Sequence, residues 1–183
     1  DVCSSDLPTT STLTMKKISF EQYNKWATAQ GGFIEEDGEF DAEEAFEEEG
    51  VQFHKGDFSV DKLNISPCVV VDGDLEVKGE IDWEFERGLL VVNGNLKCKR
   101  FRFPFQAIIA GNIEAEDIRI NSGCDYYLIV GGDIHAKSVV ELGHVITVHG
   151  KIYSPEVRSV MNEISVGGKV VSRSAWLESD DED

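Results

Sequence analysis

The stretch CVVVDGDLEV at residues 68–77 decides the fold, because it returns five times in degenerate form. Its copies are LLVVNGNLKC (89–98), QAIIAGNIEA (106–115), YLIVGGDIHA (127–136), VITVHGKIYS (145–154) and EISVGGKVVS (163–172). Each copy is an apolar run, then a glycine, then Asp, Asn or Lys, then an aliphatic residue. An earlier, degenerate copy begins at Gly56, and the glycine steps are 17, 21, 17, 21, 18 and 18 residues. A repeat period near 20 residues is typical of a solenoid.

Two further ladders of residues recur with this period. The first holds small or modest side chains: Val77, Cys98, Ala115, Ala136, Ser154 and Ser172. The second holds Phe101, Ile118, Val139, Val157 and Ala175, with Ile81 offset by one residue. Equivalent residues stack directly on one another when each copy forms one coil, and the strands of successive coils then run parallel.

The predicted fold class is therefore mainly β: a parallel β-helix solenoid of about six coils with a short N-terminal helix. At ~3.3 Å per residue, a coil of about 18 residues has a perimeter of ~60 Å, which fits three short sides. We expect a right-handed coil, because parallel crossover connections overwhelmingly have that hand. We expect the corner glycines to supply backbone angles that other residues resist, and Asp or Asn to hydrogen-bond in the turn.

The alternative fold is a sandwich of β-hairpins. In that interpretation VDGD (71–74) and VNGN (92–95) are two-residue Asp-Gly and Asn-Gly turns. Hairpins explain these two copies better than Gly131-Gly132 or His149-Gly150-Lys151. They also give no reason for the ladder of small residues to repeat, so the β-helix is favoured.

The chain before the repeat has a different character. Residues 1–7, DVCSSDL, resemble the translation of a sequencing-library adapter, so residues 1–14 are expected to be a leader outside the fold. Residues 19–30 predict a short helix with a capping box of Ser19 and Gln22. A helix of three turns is marginal alone in water. We therefore expect its aromatic stripe to dock on an open end of the solenoid.

Acidic residues set the remaining boundaries of the chain. The net charge is −18, and residues 35–49 alone contain ten acidic residues and no basic one. This indicates a division into a leader (1–14), the helix with the acidic segment (15–50), the β-helix domain (51–177) and an acidic tail (178–183). The acidic segment either only solvates the chain or attracts a basic protein partner. The residues expected to bind that partner are Glu43, Glu44, Glu47, Glu48 and Glu49.

Composition excludes several classes of function. A balance of 35 acidic against 17 basic residues argues against nucleic acid as a partner, because Lys and Arg must neutralise phosphates. No apolar run approaches the ~18 residues of an integral membrane segment. The four cysteines have no paired spacing, which favours a reducing cytoplasm.

No arrangement of residues in the sequence is typical of a catalytic site. We therefore expect a protein that is not an enzyme and has no cofactor or metal. His144 and His149 could meet Glu141 at a metal, but outward or turn positions are favoured for both histidines. Asp74 and Asp133 resemble the stacked carboxylates of β-helical polysaccharide lyases and hydrolases, but they belong to the repeated turn pattern, so a structural role is favoured. Cys98 lies in the ladder of small residues and is expected to be a buried small hydrophobe. An aromatic cluster is expected to form core or a side-to-side stack: Trp83, Phe85, Phe101, Phe103 and Phe105.

The series GDLEVKGEI, VNGNLKCKR, AGNIEAEDI, GGDIHAKSV and HGKIYSPEV resembles the bactofilins, which are bacterial polymer-forming cytoskeletal proteins. The resemblance covers about residues 56–177. It implies a small right-handed β-helix that polymerises end to end. The implied function is a structural scaffold, with itself as partner.

Two functions remain open. In the first, the chain self-associates through its β-helix ends, because edge strands recruit another copy unless they are covered. The residues expected at one such end are Ile164, Val166, Val170 and Trp176. In the second, the chain is a monomeric acidic binding module, of the inhibitor or immunity type, that engages a basic protein. Its ends would then be covered by the helix and by Trp176-Leu177.

Overall fold

The computed structural model describes residues 15–32, 34, 50–63, 66–83 and 85–172 of the chain. These residues form a mainly β, parallel β-solenoid of about six turns with one short helix, which confirms the fold class predicted from the repeat. The leader 1–14, the acidic segment 35–49 and the tail 178–183 lie outside the described residues.

Each coil passes along three faces. Face 1 contains β2 (Val51–Lys55), β4 (Cys68–Asp72), β7 (Leu89–Val92), β10 (Gln106–Ile109), the second halves of β12 (Asp117–Val130) and β14 (Ser138–Val148), and β17 (Ile164–Val166). Face 2 contains β3 (Phe58–Val60), β5 (Leu75–Val77), β8 (Leu96–Lys97), β11 (Ile113–Glu114), β13 (Ile134–His135) and β15 (Ile152–Tyr153). Face 3 contains β6 (Glu80–Asp82), β9 (Arg100–Arg102), the first halves of β12 and β14, and β16 (Glu156–Ser159). Three elements lie outside this pattern: β1 (Lys16–Ile18), α1 (Phe20–Gln30) and β18 (Lys169–Ser172).

The strand register reproduces the glycine spacing of the sequence. Along face 1, Gln52 pairs with Val69, Val69 with Leu90 and Leu90 with Ala107. The ladder continues through Leu128 and Ile146 to Ile164, so the coils are 17, 21, 17, 21, 18 and 18 residues long. On face 3, Ile81 pairs with Phe101 and Phe101 with Ile118, which confirms the one-residue offset of Ile81.

The glycine at each corner has a different purpose from the one expected. Gly111 does not have a positive φ angle. A Cβ on Gly111 would lie 2.6 Å from Asn95 Oδ1 and 2.7 Å from the carbonyl oxygen of Gly94, one coil earlier. Similar contacts surround Gly73, Gly94, Gly132 and Gly150. The glycines are therefore required by close packing between coils, and the expectation of unusual backbone angles is wrong for these five.

The Asp and Asn residues after these glycines bond between coils. Each side-chain Oδ1 accepts the backbone N–H of the equivalent residue one coil later, over 2.7–3.0 Å. This ladder of hydrogen bonds runs through Asp57, Asp74, Asn95, Asn112 and Asp133 to the N–H of Lys151. Asp74 and Asp133 thus have the structural role expected from the turn pattern.

Helix α1 covers the side of the solenoid, so the expectation that it docks on an open end is wrong. Its capping box of Ser19 and Gln22 is present as predicted. Tyr23 and Ala27 are buried with the outward side chains of the first coils on face 1, among them Val70. The reason is that the runs in β4, β7 and β10 are apolar at consecutive positions. Alternate side chains fill the interior, and the others form an apolar outer surface that needs a cover.

An aromatic stack fills the corner between face 3 and face 1, as expected for the aromatic cluster. Ring centroids lie 4.7 Å apart for Trp83 and Phe103, 6.3 Å for Phe103 and Phe105, and 5.4 Å for Phe105 and Tyr126. Phe101 and Phe103 have no solvent exposure. The cluster is therefore part of the core.

Candidate functional site

The two ends of face 1 are closed by short antiparallel strands. β1 pairs with β2, so that Ile18 lies opposite Val51. β18 pairs with β17, so that Lys169 lies opposite Val166. Added strands that carry lysine are a common protection of exposed sheet edges.

Face 2 has no such closing strands among the described residues. Its six strands follow the order β15, β13, β11, β8, β5 and β3, so β3 and β15 each have a strand partner on one side only. Face 1 continues with β17 and β18 beyond the coil that contains β15. The C-terminal end is therefore a step rather than a flat surface.

Inward-facing residues at the C-terminal end keep part of their surface exposed. Ile152, Val157 and Val166 pack against the core but are only half-buried. Ile134 pairs with Ile152 and Val139 pairs with Val157, and Ile134 and Val139, which lie one coil earlier, have no exposed surface. The difference arises because no complete coil follows the last one in the described part of the chain. The step thus presents an apolar surface and an open strand edge together, and we take it as the candidate functional site.

The residues predicted for self-association fall in different places. Ile164 is completely buried, so its side chain supports the last coil and makes no surface. Val166 is half-buried at the end, and Val170 lies in β18, where the backbone alone is described. Trp176 lies outside the described residues, as do Glu43, Glu44, Glu47, Glu48 and Glu49 of the predicted acidic site. The sequence analysis missed Ile152 and Val157, although their ladder positions in the last coil pointed to them.

The outer surface of face 2 forms a shallow groove of about 900 Å³. The carboxylates that line it belong to Asp57, Asp74, Glu76 and Glu114. Its lysine is Lys97, whose Nζ lies 3.2 Å from Glu114 Oε1. The groove therefore has a negative potential over several coils.

Glu141 is a buried carboxylate that binds backbone N–H groups from two segments. Its side chain has no solvent exposure. Oε1 accepts the N–H groups of Gly143 and His144, the latter over 2.8 Å. Oε2 accepts the N–H groups of Val160, Met161 and Asn162, over 2.8–3.0 Å. This carboxylate thus joins the corner of one coil to the loop that leads into the last strand of face 1.

Glu141, His144 and His149, which were considered as metal ligands, do not form a metal site. His144 is completely buried, which corrects the expectation of an outward or turn position, whereas His149 is exposed. His144 Nε2 lies 2.9 Å from the carbonyl oxygen of Phe105 and can donate to it. Among the described residues, no three His, Cys, Asp or Glu side chains lie close enough together to hold a metal ion.

Stability should fall below about pH 6.5 because of His144. Burial lowers the pKa of His144, although the Phe105 carbonyl and the Glu141 carboxylate oppose the shift. Protonation would also place an N–H on Nδ1, which has no acceptor in the structure. Below pH 6.5 the unfolded chain therefore binds a proton that the native chain does not, and the free energy of unfolding falls by up to about 1.4 kcal/mol per pH unit. Urea unfolding between pH 7.5 and 5.5 measures this slope. His144→Gln should reduce it, and an equal slope in both proteins would contradict the assignment.

Cys68 and Cys98 are both buried. Cys98 packs in the core at its ladder position, as predicted, and burial raises the pKa of its thiol to about 12. A thiol in this state is not a nucleophile at neutral pH. Cys68 has no exposed surface and lies beneath the helix in the outer apolar layer of face 1.

Comparison with known proteins adds no assignment. The chain matches no protein-family model, no curated protein and no solved structure. No helix in the described part of the chain is long and apolar enough to cross a membrane.

Proposed function

We propose that the chain is a bactofilin-like structural scaffold, not an enzyme, that self-associates through the C-terminal end of its β-solenoid. The observation that carries the proposal is the set of partly exposed inward residues, Ile152, Val157 and Val166, at the C-terminal end of the core. An apolar surface beside an unpaired strand edge is a combination that a second protein surface can cover. The resemblance of the repeat to bactofilins supports the same function.

The shape of the end favours a second C-terminal end as the partner. Because face 1 extends beyond face 2, head-to-tail stacking would bring β18 and β1 together first and leave the edges of face 2 apart. A two-fold axis instead places the projecting β17 and β18 of one copy beside the recessed face 2 of the other. Such an isologous contact uses the same residues twice. It would cover the open edge of β15 as well as Ile152 and Val157.

Substitutions at this end test the proposal. Val157→Lys and Val166→Lys place a charge on the apolar step, and we expect each to lower the association constant at least about tenfold, as expected for an interface hot spot. The control is Tyr127→Lys, an exposed tyrosine (46%) on the outside of face 1. Light scattering after size-exclusion chromatography gives the mass, and circular dichroism verifies the fold. Equal association of all three variants and the wild type would overturn the proposal.

A second candidate function is a binding module for a basic protein. The acidic groove of face 2 favours it, because charge complementarity steers a cationic partner to such a surface. The groove residues Glu76 and Glu114 are on the side of the solenoid, away from the C-terminal step. Binding of poly-lysine is measured for the wild type and for Glu76→Gln. If the wild type is monomeric and binds poly-lysine, and Glu76→Gln loses this binding, the result supports the binding module in place of the scaffold.

A further inference from the structure

Two neighbouring arginines on face 3 have no carboxylate partner among the described residues. Arg102 and Arg119 directly follow Phe101 and Ile118, which pair with each other and point inward. Alternation along the strands places both arginines side by side on the outside. In the part of the chain that the structure describes, neither guanidinium forms an ion pair or a hydrogen bond. Arg100, two residues before Arg102, is paired with Glu80.

The arginines line a small cleft with mixed walls. Its volume is about 270 Å³, and the other lining residues are Asp82, Trp83, Pro104 and Asn121. The indole Nε1 of Trp83 already donates to the carbonyl oxygen of Arg87 over 3.1 Å, so Trp83 offers its ring surface to the cleft. Asn121 brings an amide, and Asp82 adds one negative charge at the edge.

The state of Arg102 points to a missing acceptor. Its Nε is buried and has no hydrogen-bond partner among the described residues. A buried donor without an acceptor is costly, and two guanidinium groups on adjacent strands repel each other. One bound anion would relieve the repulsion, because a guanidinium matches the two oxygens of a carboxylate or phosphate in a forked geometry.

We propose that this cleft binds a small organic oxyanion between Arg102 and Arg119. Two arginines and Asp82 leave one net positive charge, so the cleft favours an anion. The flat, apolar walls made by Trp83 and Pro104 fit a ligand with an unsaturated or apolar body beside its charged group. The shared chemistry is an oxyanion, which a carboxylic acid or a phosphate ester can provide. The site is independent of the C-terminal step and of self-association.

Binding of benzoate to the full chain tests the site, with benzamide as the neutral control of the same shape. Calorimetry and thermal unfolding are measured at constant ionic strength, because anions also stabilise proteins without a specific site. We expect benzoate to bind and, at ten times its Kd, to raise Tm by about 3 °C. Benzamide should do neither. Phenyl phosphate replaces benzoate in a parallel series, and the tighter of the two identifies the preferred oxyanion.

Variants separate this site from a general salt effect. Arg119→Gln removes an exposed side chain, so the protein should fold, and we expect benzoate affinity to fall at least about tenfold. Arg102→Gln should have a similar effect. The matched control, Arg100→Gln, removes an arginine from the same strand and should keep wild-type affinity. Equal shifts with benzoate and benzamide, or unchanged affinity in Arg119→Gln, would overturn the proposal.

Discussion

Replacing Glu141 by glutamine should lower the free energy of unfolding by about 2–6 kcal/mol, because at least two buried N–H donors would lose their acceptor at a cost of about 1–3 kcal/mol each. The Glu141 carboxylate accepts five backbone N–H groups and has no contact with solvent. Glutamine has nearly the same shape, but its NH2 group would face N–H donors on one side or the other. Those donors would lose their acceptor inside the protein, where water cannot replace it.

Urea unfolding at pH 7 measures the effect of Glu141→Gln. The control is Glu114→Gln, because the Glu114 side chain is 66% exposed and forms a surface ion pair with Lys97. Surface pairs of this kind contribute about 0–1 kcal/mol. A loss below about 1 kcal/mol for Glu141→Gln would show that the carboxylate does not hold the last coils together.

Substitution of Gly111 by alanine should also be strongly destabilising, by about 3 kcal/mol, at the upper end of the usual cost of overpacking. The new Cβ would lie 2.6 Å from Asn95 Oδ1 and 2.8 Å from the carbonyl carbon of Gly94. The Gly94 carbonyl cannot move without separating two coils, and the Asn95 side chain could move only by breaking its hydrogen bond with Asn112 N–H. Thermal and urea unfolding of Gly111→Ala measure the loss.

Gly79→Ala is the matched control for this prediction. A Cβ on Gly79 would meet only the carbonyl oxygen of Asp61 at 3.4 Å, an ordinary contact, and Gly79 does not have a positive φ angle. Alanine at such a site lowers the entropy of the unfolded chain, so Gly79→Ala should be neutral or stabilising by up to about 1 kcal/mol. Equal losses for Gly79→Ala and Gly111→Ala would contradict the packing explanation.

The repeat was sufficient to predict the solenoid because each coil must place equivalent residues on the same ladder. The glycine steps in the sequence equal the coil lengths in the structure, including the alternation of 17 and 21 residues. The reason for glycine could not be obtained in this way. One copy of the repeat shows the turn alone, whereas the clash at Gly111 involves Asn95 and Gly94 of the preceding coil.

The position of the helix was missed although the sequence contained a signal. The runs CVVVD and LLVVN are apolar at consecutive positions, which indicates strands buried on both sides. An outer cover on face 1 was therefore required, and α1 supplies it through Tyr23 and Ala27. The sequence analysis used only the alternation that fills the interior.

The buried polar residues were predictable in position but not in role. Glu141 lies two residues after the inward Val139, so strand alternation directs it inward. Its five donors come from residues 143–144 and 160–162, and the sequence does not show that these segments meet. The half-exposed Ile152 and Val157 could have been found as ladder residues of the last coil. The arginine cleft could not be predicted, because only the three-dimensional arrangement shows which arginines have no carboxylate partner among the described residues.

Sedimentation velocity of the wild-type chain over a wide range of concentration tests the proposed self-association most directly. The net charge of −18 opposes association at low ionic strength, and salt screens this repulsion, so the series is measured at 20 mM and about 300 mM NaCl. We predict that the mass rises from 20.3 kDa towards twice that value with concentration, and more strongly at the higher salt. A single species of 20.3 kDa at every concentration and both salts would contradict the scaffold function.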